Sequence, residues 1–152
     1  ISAELARTLE AVAATIRHMA KGDVLTAEAR EARRDLQHRA LTLLGAYDRS
    51  AGSSPRYGAE AERMWPAVVT TQRLCYRVLS TCWAMENSDP AATAETTRTL
   101  FGPGGERAIL AALADLEWAV LHDDRPQQTA PLPAFVATEL QNLRDSLVPE
   151  ST

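Results

Sequence analysis

The feature that most constrains this chain is the spacing of its apolar residues, which recur every three or four positions over much of its length. This period places them on one face of an α-helix. Residues that favour strands are sparse, and the commonest residue is alanine, which favours helices. We therefore predict an all-α fold. The first helix has the stripe Ile1, Leu5, Leu9, Val12, Ile16 and Met19.

Helix boundaries follow from capping residues, and they divide the chain into five to six helices of one antiparallel bundle. Gly22 suits the end of the first helix, and Thr26 suits the N-cap of the second. The apolar stripe of the second helix is widened by Leu41 and Leu44, which are expected to face inward. Residues 50–58 are rich in Gly, Ser and Pro and predict a loop. The third helix is expected to begin at Ala59 or Pro66 and to end at Met85. The fourth is expected over residues 91–100, and the fifth over residues 106–122, with Leu121 facing inward. The last helix is expected to begin at Pro133 and to end at Pro149.

The third helix is predicted to lie at the centre of the bundle. Between Pro66 and Met85 its apolar residues point in nearly all directions, which is typical of a helix surrounded by others. On this hypothesis Trp83 is buried. Cys75 and Cys82 lie seven residues apart on the same helix, roughly 10 Å along its axis, and are expected to be free buried thiols.

Composition excludes several classes of function. The formal net charge of −4 gives no general attraction to nucleic acid, so we expect none as a partner. No apolar run is long enough to span a membrane. The chain begins at Ile1, already inside a helical pattern, which favours a single soluble domain, residues 1–152, excised from a longer protein.

The sequence offers no recognisable catalytic apparatus. His18, His38 and His122 fall on three different predicted helices, and the paired Glu-x-x-His motifs of a metal-binding bundle are missing. No pattern of an activated nucleophile is present. Residues 102–105 lack the Lys and Ser or Thr of a phosphate-binding loop. We expect no enzyme, no catalytic residue, no metal and no cofactor.

Two charged surfaces are candidates for binding. Residues 28–39 are expected to be a solvated face with Arg39–Asp35 and Arg34–Glu31 pairs, or alternatively a contact face for a protein or lipid headgroups. On the third helix, cations share one face beside two aromatic residues, an arrangement that suits an aromatic carboxylate. Its alternative is the solvent face of that helix. The candidate ligand-binding residues are Arg63, Arg73, Arg77, Tyr76 and Trp83, with Thr70 on the same face.

The sequence of this third helix resembles a known protein family. The segment Trp65-Pro66-Ala67-Val68-Val69, continuing through 73–79 to Cys82-Trp83, resembles the actinobacterial proteins of the fusaric acid resistance, or aromatic acid exporter, superfamily. Two further segments fit the same family: the Ala- and Arg-rich stretch 29–36, and residues 132–134 at the start of the last helix. The resemblance therefore covers most of the chain.

The resemblance implies the cytosolic helical domain of an inner-membrane exporter of aromatic or other organic acids. Its role would be gating, substrate collection or assembly. The implied partners are the transmembrane part of the same polypeptide, a weakly bound organic acid and, as an open alternative, a second copy of the chain. The family supplies no residue to carry over. The rival hypothesis is a ligand-sensing, dimerising domain of a helical transcription regulator, which composition fits nearly as well.

Overall fold

The computed structural model of the protein describes residues 1–127 and 130–147, and it confirms the all-α class. The described residues form an antiparallel bundle of six α-helices, with no strand among them. The predicted helix stop at Pro149 lies outside the described residues. The helices are α1 (Ser2–Ala20), α2 (Ala27–Ala51), α3 (Pro55–Glu86), α4 (Pro90–Phe101), α5 (Gly105–His122) and α6 (Ala134–Ser146).

The connection between α2 and α3 is much shorter than the sequence predicts. Instead of a loop over residues 50–58, only residues 52–54 are non-helical. The Ser54 side chain caps α3, and Pro55 follows in the first turn, where a missing backbone N–H costs no hydrogen bond. Both predicted starts of this helix are therefore wrong. Pro66 lies inside α3 rather than at its beginning.

The two residues predicted to end α1 and to begin α2 are confirmed. The Thr26 hydroxyl accepts a hydrogen bond from the Ala29 N–H at 3.1 Å, which satisfies one of the free donors of the first turn. Gly22 adopts a φ of 70° just after α1, a left-handed conformation that glycine accommodates without strain. These two residues fix the sharp reversal between α1 and α2.

Side-chain hydrogen bonds to backbone carbonyls set the register of the long helices. The Thr8 hydroxyl donates to the Glu4 carbonyl of its own helix at 2.7 Å and also lies 3.3 Å from the Arg39 carbonyl across the α1–α2 contact. One residue further along α2, the Ala40 carbonyl accepts from the Gln72 amide of α3 at 2.9 Å. The middle of α2 is thereby tied to α1 on one side and to α3 on the other.

The most buried helix is α1, and α3 is a second central helix. Ten of the 19 residues of α1 are buried, against nine of the 20 between Pro66 and Met85 of α3, and each of the two helices packs on four others. The prediction that Trp83 is buried is wrong, because its side chain is 68% exposed. Leu41 and Leu121, expected to face inward, are also exposed. The outer face of α3 is left uncovered because α2, α6 and α1 pack on its other sides.

Cys75 and Cys82 are both free and buried, as the helix spacing predicts. Burial raises the pKa of Cys75 to about 12 and that of Cys82 to about 11, so both thiols stay protonated at neutral pH. Because the thiolate is the nucleophile, we expect iodoacetamide to label either residue at least about a hundredfold more slowly in the native protein than in urea. Mass spectrometry of quenched time points measures this. Rapid native labelling, or a disulfide found without reductant, would contradict the arrangement.

A carboxylate at the contact of α1 and α5 gives the protein a predicted pH dependence. Desolvation raises the pKa of Glu117, and repulsion from Glu10 raises it further, against an opposing effect of Arg17. The ionised carboxylate is therefore less stable in the folded than in the unfolded chain, and stability falls as the pH rises through its folded pKa. We expect Glu117→Gln to raise the midpoint of thermal unfolding at pH 7.

The gain is expected to be about 1 kcal/mol or less, since Glu117 is partly exposed and screened by solvent. It should disappear below about pH 4, where the carboxyl is protonated in both states. Melting curves from pH 3.5 to 8 measure the effect, with the exposed Glu95→Gln as the control. An equal gain at every pH would show that the charge of Glu117 is not its cause.

Candidate functional site

The candidate residues all lie on the exposed side of α3, but they do not form one pocket. Arg63, Arg73, Tyr76, Arg77 and Trp83 are each exposed. Twenty residues of helix separate the first from the last, roughly 30 Å along the axis. The structure therefore gives an extended surface in place of a single compact binding site.

Arg77 is already engaged by another helix. Its Nε donates to Oε1 of Glu139 on α6 at 2.7 Å, and Glu139 is only 9% exposed. A nearly buried carboxylate needs this partner, because an unpaired charge there would be costly. Thr70, predicted on the same face, is also buried, and its hydroxyl donates to the Pro66 carbonyl at 2.9 Å. Arg77 thus joins α3 to α6, and Arg63 and Arg73 are left as the solvent-facing cations of this side.

Three large aromatic side chains form a row along the outer face of α3. Trp65, Tyr76 and Trp83 are 43%, 77% and 68% exposed. Their spacings of eleven and seven residues are close to whole numbers of helical turns, so they line up over roughly 27 Å. Trp65 also packs on Tyr47 of α2, with ring centroids 4.6 Å apart. Tyr76 and Trp83 are among the residues predicted for this face, whereas Trp65 was not included, although its helical spacing from Tyr76 is a sufficient signal.

The start of α2 supplies cations beside the last of these aromatics. Arg30, Arg33 and Arg34 line a shallow groove of about 230 Å³ with Trp83 and Glu86. Glu86 Oε1 lies 3.3 Å from Arg33 Nη2 and 3.6 Å from Arg30 Nε, so one carboxylate is shared by two guanidinium groups. The groove therefore carries an excess of positive charge next to an exposed indole ring.

The charge pairs predicted within α2 are realised in part. Arg39 Nε lies 3.6 Å from Asp35 Oδ1, as predicted. Arg34 forms no ion pair with Glu31 in the described ranges, so its guanidinium faces the groove without a carboxylate partner there. We define the α2–α3 surface as the exposed residues Arg30, Arg34, Leu41, Trp65, Arg73, Tyr76 and Trp83.

The composition of the α2–α3 surface is typical of a protein contact. Trp, Tyr and Arg are the residues most enriched at the energetic centres of interfaces, because they combine a large apolar area with directional polar groups. Exposed aromatic side chains grouped on one face, as Trp65, Tyr76 and Trp83 are, are also found at binding surfaces of other proteins. The surface can dock a partner that offers apolar side chains and acidic groups.

Two of the three histidines, His18 and His122, have partners nearby in the sequence. His18 Nδ1 lies 3.3 Å from Asp23 Oδ2, and His122 Nδ1 lies 2.8 Å from the Trp118 carbonyl at the end of α5. Within residues 1–127 and 130–147, no group of three or more His, Cys, Asp or Glu side chains is placed to hold a metal ion.

A second concave site lies at the end of the bundle that α4 covers. It is a groove of about 560 Å³ between the α1–α2 loop, the end of α3 and one face of α4. We call it the α4 groove and define it by Lys21, Val24, Leu25, Met85 and Ala94. No local sequence pattern predicts this groove, because it forms from segments about 70 residues apart.

In the part of the chain that the structure describes, none of the helices has the length and apolar character needed to cross a membrane. Comparisons with protein-family models, with curated proteins and with solved structures return no match for this chain.

Proposed function

We propose that this chain is the cytoplasm-facing helical region of a multi-pass exporter of aromatic or other organic acids, and that it docks to the rest of the exporter through its α2–α3 surface. The observation that supports docking is the row of exposed aromatics formed by Trp65, Tyr76 and Trp83. The same residues belong to the segments that resemble the fusaric acid resistance superfamily.

Of the three roles considered for such a region, assembly is the one that the geometry favours over substrate collection. The aromatic row is roughly 27 Å long, far more than one small acid could cover. One N–H donor of Arg77 is already engaged by Glu139, which leaves less of its guanidinium group for a ligand. Covering a large apolar side chain is worth about 1.5–3 kcal/mol, so a partner that buries the three rings would gain a substantial part of its affinity there.

The experiment places the full-length gene in a host sensitive to aromatic acids and measures growth against acid concentration. We expect the wild type to confer tolerance and the double variant Tyr76→Ala/Trp83→Ala to lose most of it. Tyr57→Ala is the matched control, because Tyr57 is also exposed on α3 but lies off the row. Melting curves of each variant of this chain establish that the substitutions leave the fold intact.

Each result has a distinct meaning. A wild type without tolerance would count against the exporter. Tolerance that survives the double aromatic variant, while the wild type is active, would remove the α2–α3 surface from the function. Arg73→Ala, tested in parallel, examines the substrate-collecting alternative, in which tolerance would fall even though the aromatic row is intact. Arg77→Ala does not serve this purpose, because it would leave the nearly buried Glu139 without its partner.

The alternative function is a ligand-sensing domain of a transcription regulator, and the α4 groove is the observation that favours it. A volume of about 560 Å³ lies in the range of small-molecule sites. The two functions differ in what accompanies this domain. An exporter requires apolar spans of about 20 residues, and a regulator requires a helix-turn-helix segment, so the flanking coding sequence separates them.

A further inference from the structure

The α4 groove has an apolar interior. Val24, Leu25, Met85, Pro90 and Ala94 contribute to its lining, from three different segments of the chain. Val24 and Met85 are buried at its base, whereas Leu25 is 55% exposed at the rim. A ligand that enters the groove would cover Leu25, which no other side chain of the described core covers well.

Hydrogen bonds hold the three walls of the groove in place. Arg33 Nη1 of α2 donates to the Val24 carbonyl at 2.8 Å and fixes the α1–α2 loop. The buried Thr93 hydroxyl donates to the Met85 carbonyl at 3.1 Å and joins α4 to the end of α3. The Thr97 hydroxyl donates to the Thr93 carbonyl within α4 at 3.0 Å and also lies 3.4 Å from the Met19 carbonyl of α1. The groove is therefore a feature of the folded chain that exists before any ligand binds.

One side chain of the groove can pair with an anionic ligand. The hydroxyl protons of Ser88, Thr93 and Thr97 are all donated to backbone carbonyls, so these hydroxyls offer a ligand only acceptor lone pairs. Two ionisable side chains line the groove, Lys21 and Asp23. Asp23 has a partner in His18 at 3.3 Å, while Lys21, the single lysine of the sequence, forms no ion pair within the described residues. The Lys21 ammonium group is thus the cation of this lining that can pair with a carboxylate, and the Asp23 carboxylate is the opposing charge beside it.

We propose that the α4 groove binds a small amphipathic monocarboxylic acid, with its apolar body against Leu25, Met85 and Ala94 and its carboxylate at Lys21. This inference takes one element from the proposed function, namely that the ligand is an organic acid. It places the acid in the α4 groove and not at the arginines of α3. Because Lys21 is exposed, specificity comes mainly from the apolar fit, and affinity should fall between about millimolar and tens of micromolar.

The first experiment titrates this chain with sodium octanoate and follows backbone amide signals by NMR. We expect saturable shifts confined to residues 21–26 and 85–97. Octylammonium chloride and 1-octanol, which share the chain but differ in charge, should bind more weakly. Tighter binding of octylammonium would assign the charge preference to Asp23 and overturn the proposal. Octanoate shifts centred on residues 73–83 would overturn it as well.

Substitutions separate the charge from the apolar fit. Lys21→Gln is expected to weaken octanoate binding about threefold to tenfold and to leave 1-octanol binding unchanged, whereas Lys21→Arg should retain the wild-type preference. Ala94→Trp should fill the groove and abolish binding of both molecules. Ala91→Trp is its matched control, as Ala91 is exposed on the same helix and does not line the groove.

The outcomes distinguish this inference from the proposed function. Unchanged octanoate binding in both Lys21→Gln and Ala94→Trp would reject the α4 groove as the site, whatever the growth assay shows. Specific binding in the groove together with a full-length gene that confers no tolerance would retain the site and reject the exporter.

Discussion

Leu9→Ala is expected to lower the free energy of unfolding by about 3–5 kcal/mol, whereas Trp83→Ala should lower it by less than about 1 kcal/mol. Leu9 is fully buried on α1, the most buried helix, so truncation removes apolar contacts and leaves a cavity that the neighbouring helices cannot close. Trp83 is 68% exposed, and most of its ring contacts solvent before and after unfolding.

Urea titrations of the two variants and the wild type measure both effects, with similar slopes as the check that unfolding remains two-state. The comparison tests whether the outer face of α3 is exposed, because the larger side chain should then have the smaller effect on the free energy of unfolding. A loss above about 3 kcal/mol for Trp83→Ala would place that ring in the core and contradict the exposed face of α3. A small loss for Leu9→Ala would contradict the central position of α1.

The error over α3 has a physical origin that also limits other predictions from sequence. Apolar periodicity identifies the residues that could be buried, and for α1 this was sufficient, since one stripe was apolar and the opposite face carried charges. On α3 the aromatics extended the apolar character around the helix. Which face remained uncovered depended on where α2 and α6 pack, and the local sequence does not encode that.

At the candidate site, too, features that depend on nearby residues could be predicted from the sequence, and contacts between distant residues could not. The exposure of Arg73 and Tyr76 agrees with the solvent-face alternative that the helical spacing left open. The partner of Arg77 could not be predicted, because Glu139 is 62 residues away on a helix whose packing partner was unknown. Capping at Thr26 was predictable because it depends on residues within one turn.

Gly105→Ala is the second substitution with a large expected effect, and it should destabilise the fold by about 1–2 kcal/mol. Gly105 is buried at the start of α5, where the chain passes close to the beginning of α6. A Cβ atom there would lie 2.9 Å from Pro133 Cγ and 3.5 Å from Phe101 Cβ. The first distance is shorter than real Cβ contacts allow, and the proline ring is too rigid to move aside without shifting α6.

Gly45→Ala is the matched control, and it should have the opposite sign. Gly45 lies within α2, where glycine costs roughly 0.5–1 kcal/mol relative to alanine. Its added Cβ would lie 3.3 Å from Arg49 Nη1, the end of a flexible exposed side chain that can move. We expect the two variants to differ by about 2 kcal/mol in urea titrations. If Gly105→Ala were as stable as Gly45→Ala, α5 and α6 could not approach as closely at Pro133 as the structure has them.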